Sequence, residues 1–366
     1  MIIAIILTIA TTFYVLAVFT AAFLLSKKTS NKKDKMPFVS VVIAARNEAK
    51  RIKPALDSLA MIDYPPDLHE VIWVDDNSVD ATANFILDYV KDRSNWQLIK
   101  LQNKGQKFSG KKLALDTAIK QAKGEIILTT DADCRVQKDW IGAILNAFNK
   151  DTIMVLGHSL LEKKKGMLDK LLRFDNLFSG IMVAAPAKAG YAVSSVGRNM
   201  AYRKEAYIQS GGYSELVHFK SGDDVHLTEL FRRKIKGKIV FCSNSESFTF
   251  TKRPDTLKEI MHQQIRKNSK LFKKSFSSIL LTFFLFLYHF LLILFPFLFY
   301  QLIDLWIVLI VLKLGAEFIT LFYAASVFNE KDLTGYIPAF QVFYPLYVIL
   351  LGGIASLFSF EWKGRK

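Results

Sequence analysis

Asp131-Ala-Asp133 sets two carboxylates one residue apart, directly after an apolar run from Glu125 to Thr130. Such a pair projects from an extended turn and suits Mg²⁺ or Mn²⁺, hard cations that take carboxylate oxygens and keep positions open for phosphate. The competing use is a cap for a helix expected from Lys138, since Asp is a favoured N-cap. Asp75-Asp76 ends a second apolar run, Glu70 to Val74, where an acid can bond a ribose or a base edge. Capping competes here too, with Ser78 and Asp80 available for it, but two acids in succession are more than one cap requires.

Three further groupings carry charge in useful places. Gly110-Lys111-Lys112 opens an expected helix, where backbone N–H groups and the helix dipole favour an anion, and Lys112 adds charge for a phosphate. Ser221-Gly-Asp-Asp-Val-His-Leu227 puts Asp223 and Asp224 ahead of a helix expected over Leu227 to Arg233. One of them can serve as a general base, or both can sit as dipole-stabilised acids at a helix start. Gln263 and Arg266 stand at i and i+3, share a helix face, and can reach a diphosphate or a sugar acceptor, or else belong to an exposed basic face.

The elements that must hold these groups alternate strand with helix. Phe38–Ala45 is nearly all apolar and β-branched, as in a strand buried on both faces. After it come helices expected over Glu48–Ala60, Val79–Val90, Lys111–Ala122 and Lys138–Phe148, and strands over Glu70–Val74, Trp96–Leu101 and Glu125–Thr130. This alternation predicts an α/β domain with a doubly wound sheet, whose ligands bind beyond the carboxyl ends of the strands. Ala45-Arg-Asn-Glu48, Asp75–Ser78 and Asp131–Asp133 all fall at that edge.

The chain is 51% hydrophobic, with a mean hydropathy of +0.21. Ile2 to Leu25 is free of charge and long enough to cross about 30 Å of hydrocarbon. A cleaved signal peptide competes, but this stretch lacks a basic start and is too long for an h-region. Further apolar stretches run over 277–300, 302–327 and 336–360. The expected division is a membrane anchor with its basic flank (1–35), an α/β domain (36–253), an amphipathic interfacial helix (254–275) and a C-terminal membrane region of two to three spans (276–366). Within the tail, Lys313 and Glu317 stand at i,i+4 and can neutralise one another.

The formal charge of +16 invites a nucleic-acid reading, but the basic residues cluster at Lys27, Lys28, Lys32, Lys33 and Lys35, and again at Arg266, Lys267, Lys270, Lys273 and Lys274. Both clusters flank membrane stretches, which excludes nucleic acid in favour of anionic head groups and places the α/β domain on the cytoplasmic side. Cys134 and Cys242 lack metal-ligand spacing, so neither a disulfide framework nor a zinc site is expected.

Taken in order, Ala45-Arg-Asn-Glu48, Val74–Asp80, Asp131-Ala-Asp133, Gly197–Arg203, Gly222-Asp-Asp224 and Gln263-Gln-Ile-Arg266 resemble the motifs of family-two glycosyltransferases of GT-A fold, especially membrane-bound ones. The resemblance covers about two thirds of the chain and implies a metal-dependent transfer of a sugar from a nucleotide-sugar donor, with a UDP-sugar favoured, to a lipid-borne or saccharide acceptor at the inner face of a cell membrane. It implies donor contacts from Ala45, Glu48, Asp76, Lys112 and Asp131, a divalent cation on Asp131 and Asp133, and catalytic roles for Asp223, Asp224, Gln263 and Arg266, with Asp224 as base. Lys267 stands where the family's Gln-x-x-Arg-Trp motif has tryptophan. That departure favours single-sugar transfer over a processive polysaccharide synthase; a non-catalytic nucleotide-binding scaffold is the remaining alternative.

Overall fold

The computed structural model describes residues 1–27, 36–101, 110–219, 222–254, 256, 259–261 and 276–345. Gln263, Arg266, Lys267, the basic residues after Lys27, most of the expected interfacial helix and the end of the third apolar tail stretch lie outside them. The chain divides into two compact units: one comprises Met1–Ser26, Gly166–Leu177 and Arg253–Lys366, the other Lys27–Lys165 and Phe178–Lys252.

After the first helix, α1 (Ile2–Ser26), the α/β unit builds β1 (Val39–Ala45), α2 (Lys53–Ala60), β2 (His69–Asp75), α3 (Thr82–Val90), β3 (Trp96–Lys100), α4 (Lys111–Gln121) and β4 (Ile126–Thr129). It continues with β5 (Cys134–Arg135), α5 (Trp140–Leu145), β6 (Thr152–Leu156), β7 (Ser159–Leu161), the part of α6 (Met167–Lys188) from Phe178 onward, β8 (Met200–Arg203), α7 (Lys204–Ser210), α8 (Asp223–Lys234), β9 (Lys238–Phe241) and β10 (Thr249–Thr251), the start of α6 belonging to the other unit. The main sheet has seven strands in the order β3-β2-β1-β4-β8-β6-β9, and β5-β10-β7 form a small second sheet.

β1 pairs in parallel with β2 and β4, and β2 with β3, so half of the sheet is the expected parallel array. The other half corrects the expectation. β8 runs antiparallel to both β4 and β6, which makes the sheet mixed rather than doubly wound throughout. The four-residue β8 carries too short an apolar pattern to reveal its direction. β2 is buried along its whole length and β1 in all but one residue, which is why both read as continuous apolar runs. Trp73, Trp140 and Phe148, each fully buried, fill the core beside them.

Helix starts differ from expectation where loop side chains take over the first turn. α2 begins at Lys53 rather than Glu48, because Asn47 turns left-handed (φ 51°) and residues 48–52 form a hydrogen-bonded turn. α3 begins at Thr82 because Asp80 accepts from the Thr82 N–H at 3.0 Å. α8 begins at Asp223, a turn before Leu227, so both acids lie inside the helix's first turn rather than ahead of it.

The other unit contains α1, α9 (Phe276–Leu298) and α10 (Ile303–Val327). Among the described residues, two helices are long and apolar enough to cross a membrane, Ile2–Ser26 and Tyr300–Val327, with a shorter apolar helix at Phe283–Leu298. α1 and α10 lie parallel: Ala4 and Leu7 cluster with Leu309, the Tyr14 hydroxyl meets Glu317 at 2.5 Å, and the Val18 carbonyl accepts from Thr320 at 3.0 Å. α9 returns antiparallel, with Tyr288 against Tyr14 and the Leu292 carbonyl accepting from Trp306. Lys313 pairs with Glu317 at 2.7 Å, and both side chains are almost wholly buried.

Below α10, Arg173 at 2% exposure gathers Asp169 and Glu330, both as deeply buried, and Asp332 at 2.7 Å. Removing one partner from a buried ion cluster leaves uncompensated charge. Arg173→Met is therefore expected to cost about 3–5 kcal/mol, seen as a lowered Tm of the detergent-purified chain. A Tm equal to that of the unaltered chain would show that the three acids need no cation.

Candidate active site

The carboxyl ends of β1 and β2 are stitched together by their loops. Asn47 N–H donates to the Ser78 hydroxyl at 3.0 Å, and Val79 N–H returns a bond to the Asn47 side chain at 2.9 Å. Glu48 N–H donates to the Thr82 hydroxyl, and Ala49 N–H to Asp80. Burial alone would raise the Asp80 carboxyl, but hydrogen bonds from Thr82 and Ala49 outweigh it and hold it below its usual range. Capping thus falls to Asp80, and Asp75 accepts from the Ser78 N–H. Asp76, at 2% exposure, instead meets the Arg46 guanidinium at 3.4 Å, beside the Ala45 carbonyl that accepts the Asp76 N–H.

Asp131 and Asp133 follow β4, which lies two strands from β2 across β1, or about 10 Å at the usual strand spacing. The capping alternative fails for them, because α5 does not start until Trp140, with Asp139 in the cap position. The carboxylates of Asp131 and Asp133 and the Cys134 sulfur lie within 4.8 Å of one another. Burial first, then the neighbouring Asp133 carboxylate, pushes the Cys134 thiol well up, so it stays protonated, 3.6 Å from Asp133. The donor set is accordingly two half-buried carboxylates, oxygen ligands that fit Mg²⁺ or Mn²⁺ better than a thiophilic metal.

Lys111 connects this pair to the second acidic pair. Its ammonium lies 2.5 Å from Asp131 and 3.8 Å from Asp223. Burial would lower Lys111, but the carboxylates of Asp131, Asp223 and Asp224 outweigh it and hold the ammonium above its ordinary range. Lys112, the lysine expected to meet phosphate, is buried, and its Nζ donates to the carbonyls of Leu216 and Phe219. Burial holds its ammonium below the ordinary lysine range, with the Asp223 carboxylate opposing. Of two adjacent lysines on a helix only one can face the strand ends, and composition alone does not say which.

Asp224 Oδ2 accepts the Gly197 N–H at 3.0 Å. Gly222, left-handed at φ 84°, turns the chain into α8 so that Asp223 and Asp224 share the positive end of its dipole. The turn around Gly197 is closed by the Asn199 N–H, which donates to the Val196 carbonyl at 2.9 Å, and the fully buried Asn199 side chain accepts from the Trp140 indole and donates to the carbonyls of His158 and Ser247. Sequence reasoning assigned neither Lys111 nor Gly197 a role; the available signals were the pairing of Lys111 with Gly110 and a glycine opening the Gly197–Arg203 motif.

A Cβ on Gly197 would lie 3.1 Å from the Asp224 Cβ, closer than ordinary contact. Gly197→Ala should therefore displace Asp224 by a few tenths of an ångström, lowering turnover about tenfold with little change in Tm. Unchanged steady-state rates would show that the placement of Asp224 is not rate-determining.

Residues 40–211 match the profile described as Glycosyl transferase family 2. A β-monoglucosyldiacylglycerol synthase of Synechocystis is 31% identical over 181 residues, 49% of this chain and 33% of the relative. A poly-β-1,6-N-acetyl-D-glucosamine synthase of Staphylococcus epidermidis is 26% identical over 178 residues, 48% of this chain and 41% of the relative. The chain thus spans a third to less than half of the length of these curated relatives. Among solved structures, the mannosyltransferase PcManGT of Pyrobaculum calidifontis, in complex with GDP-Man and Mn²⁺, is similar over 97% of both chains with a TM-score of 0.59 at 19% identity, a likeness of fold. With its α/β architecture and its acidic strand ends, this chain is similar over residues 40–211 to the family 2 glycosyltransferases.

Proposed function

We propose that the chain is an inverting glycosyltransferase that moves one sugar from a nucleotide-sugar donor, with a UDP-sugar favoured, to a lipid-borne hydroxyl at the cytoplasmic face of a cell membrane. The observation that carries this reading is the single ammonium of Lys111 lying against both the Asp131 pair and the Asp223–Asp224 pair, with Asp224 aligned by a backbone N–H. Two acidic pairs from distant parts of the sequence thereby meet at one ammonium, the closeness that transfer from a diphosphate to a hydroxyl requires.

In the proposed reaction, Ala45, Glu48 and Asp76 hold the nucleoside at the ends of β1 and β2, and Asp131 and Asp133 lie on the diphosphate side. Asp224 takes the acceptor hydroxyl's proton while that oxygen forms its bond to the anomeric carbon from the face opposite the diphosphate. The bond from the anomeric carbon to the phosphate oxygen breaks, and the nucleoside diphosphate leaves with the electron pair. A divalent cation on Asp131 and Asp133, when bound, supplies charge neutralisation for that leaving group. Lys111 adds a fixed positive charge beside it, and Gln263 and Arg266 are assigned to the same end of the donor.

The lipid acceptor is supported by the glucosyldiacylglycerol-forming relative and by the apolar helices α1 and α10. The polysaccharide-forming relative supports processive synthesis as a second reading. Both are tested by incubating the detergent-purified chain with a panel of sugar nucleotides, Mn²⁺ or Mg²⁺, and diacylglycerol or lipid-linked saccharide acceptors. Release of nucleoside diphosphate that rises with a lipid acceptor and yields a product one sugar longer supports the first reading. Long products support the second, and tight nucleotide binding without transfer to any acceptor leaves only a binding protein.

A further inference from the structure

Lys112 is the buried lysine of the pair that opens α4, and what it holds lies on the approach to the second acidic pair. Its Nζ donates to the Leu216 carbonyl at 2.8 Å and to the Phe219 carbonyl. Leu216 ends a short 3₁₀ turn, Gly212–Leu216, and its carbonyl also accepts the Phe219 N–H at 3.2 Å. One ammonium therefore draws both ends of the stretch 216–219 onto α4. A second fastening comes from α8, where the Phe219 ring stacks on His226 at 3.7 Å and the His226 N–H donates to the Gly222 carbonyl at 2.9 Å.

We propose that Lys112 is a positioning residue for the general base: by holding the turn at Leu216 and Phe219 it sets where Asp223 and Asp224 stand against Lys111 and the Asp131 pair. The proposal deepens the transfer reaction above and rests on Asp224 as its base. Asp223 follows Phe219 by four residues, and Lys111, the residue before Lys112, stands 3.8 Å from it. Consecutive helix residues point roughly 100° apart, so one rigid element presents Lys111 to the acids and Lys112 to the backbone that leads into them. An apolar side chain of similar length would fill the same space without the cost of drawing an ammonium out of water. What the ammonium adds is a fixed place for two carbonyls, and with it an alignment in which a displacement of about 1 Å costs on the order of 100-fold in rate. In this role Lys112 meets backbone and leaves the donor to other residues.

The test compares Lys112→Met and Lys112→Arg with the unaltered full chain, using the sugar nucleotide that the donor panel identifies and expressing turnover per nucleotide-binding site, so that folded protein alone is counted. Lys112→Met should lower kcat about 10- to 100-fold while the KM for the sugar nucleotide stays within about twofold. Lys112→Arg, which still offers N–H donors to both carbonyls, should keep kcat within about threefold. Lys112→Gln, uncharged but polar, repeats the measurement if Lys112→Met does not fold. Combining the neutral variant with Asp224→Asn should cost no more than Asp224→Asn alone, because a positioning residue loses its effect once the group it positions is gone. A raised donor KM with unchanged kcat would return Lys112 to donor binding, and losses that multiply in the double variant would separate it from Asp224; either overturns the proposal. A lowered Tm with kcat per site unaltered overturns it too, as a purely structural role. Full turnover by Asp224→Asn alone is a different failure, which removes the base reading whatever Lys112 does.

Discussion

Asp224→Asn lowers turnover by about 10²–10⁴-fold and leaves nucleotide binding unchanged, the effect expected when a general base loses its ability to accept a proton. The amide is isosteric with the carboxylate, and its oxygen can still accept the Gly197 N–H that lies 3.0 Å from Oδ2, so the loop keeps its shape. Asp223 remains beside Lys111, and the first turn of α8 retains one acid at its positive end. Pre-steady-state measurement of diphosphate release, with nucleotide affinity measured in parallel, checks this. Wild-type turnover by the variant would remove Asp224 from the base role and leave Asp223 as the acid to test.

Asp133→Ala should instead act on donor binding. In the presence of Mn²⁺ the Kd for donor is expected to rise about 100-fold, roughly 2.7 kcal/mol, because one of the two carboxylates proposed to hold the cation is gone. The Cys134 sulfur is a poor substitute, since Mn²⁺ and Mg²⁺ favour oxygen ligands over thiolate. Without metal, the variant and the unaltered chain should bind the donor equally weakly, so the difference between two calorimetric titrations isolates the carboxylate's part. Equal affinities in Mn²⁺ would move the cation elsewhere.

The two predictions separate residues that look alike in the sequence. Asp131-Ala-Asp133 and Asp223-Asp224 are both short acidic clusters, and each reads equally well as a cap. What distinguishes them is distance along the chain converted into proximity: Lys111, twenty positions before Asp131, also meets Asp223, more than a hundred positions away. Periodicity reports local order, and it located β1, β2 and β4 because strands buried on both faces must be apolar throughout. It does not report long-range pairing, so the antiparallel insertion of β8 and the bond from Gly197 to Asp224 were hidden in it. The choice between Lys111 and Lys112 was hidden for another reason: adjacent helix residues differ by a rotation that only the helix's packing partner fixes. Helix starts were blurred where side chains of Asn47 and Asp80 occupy the backbone groups that a first turn would use.

The direction of α10 has a consequence for compartments. Because α1 and α10 point the same way and α9 runs back between them, a chain whose three apolar helices traverse lipid makes an even number of crossings between Ser26 and Phe328. Tags inserted just after each of those residues must then report the same side of the bilayer, whichever side that is. This parity constrains the topology without knowledge of absolute orientation.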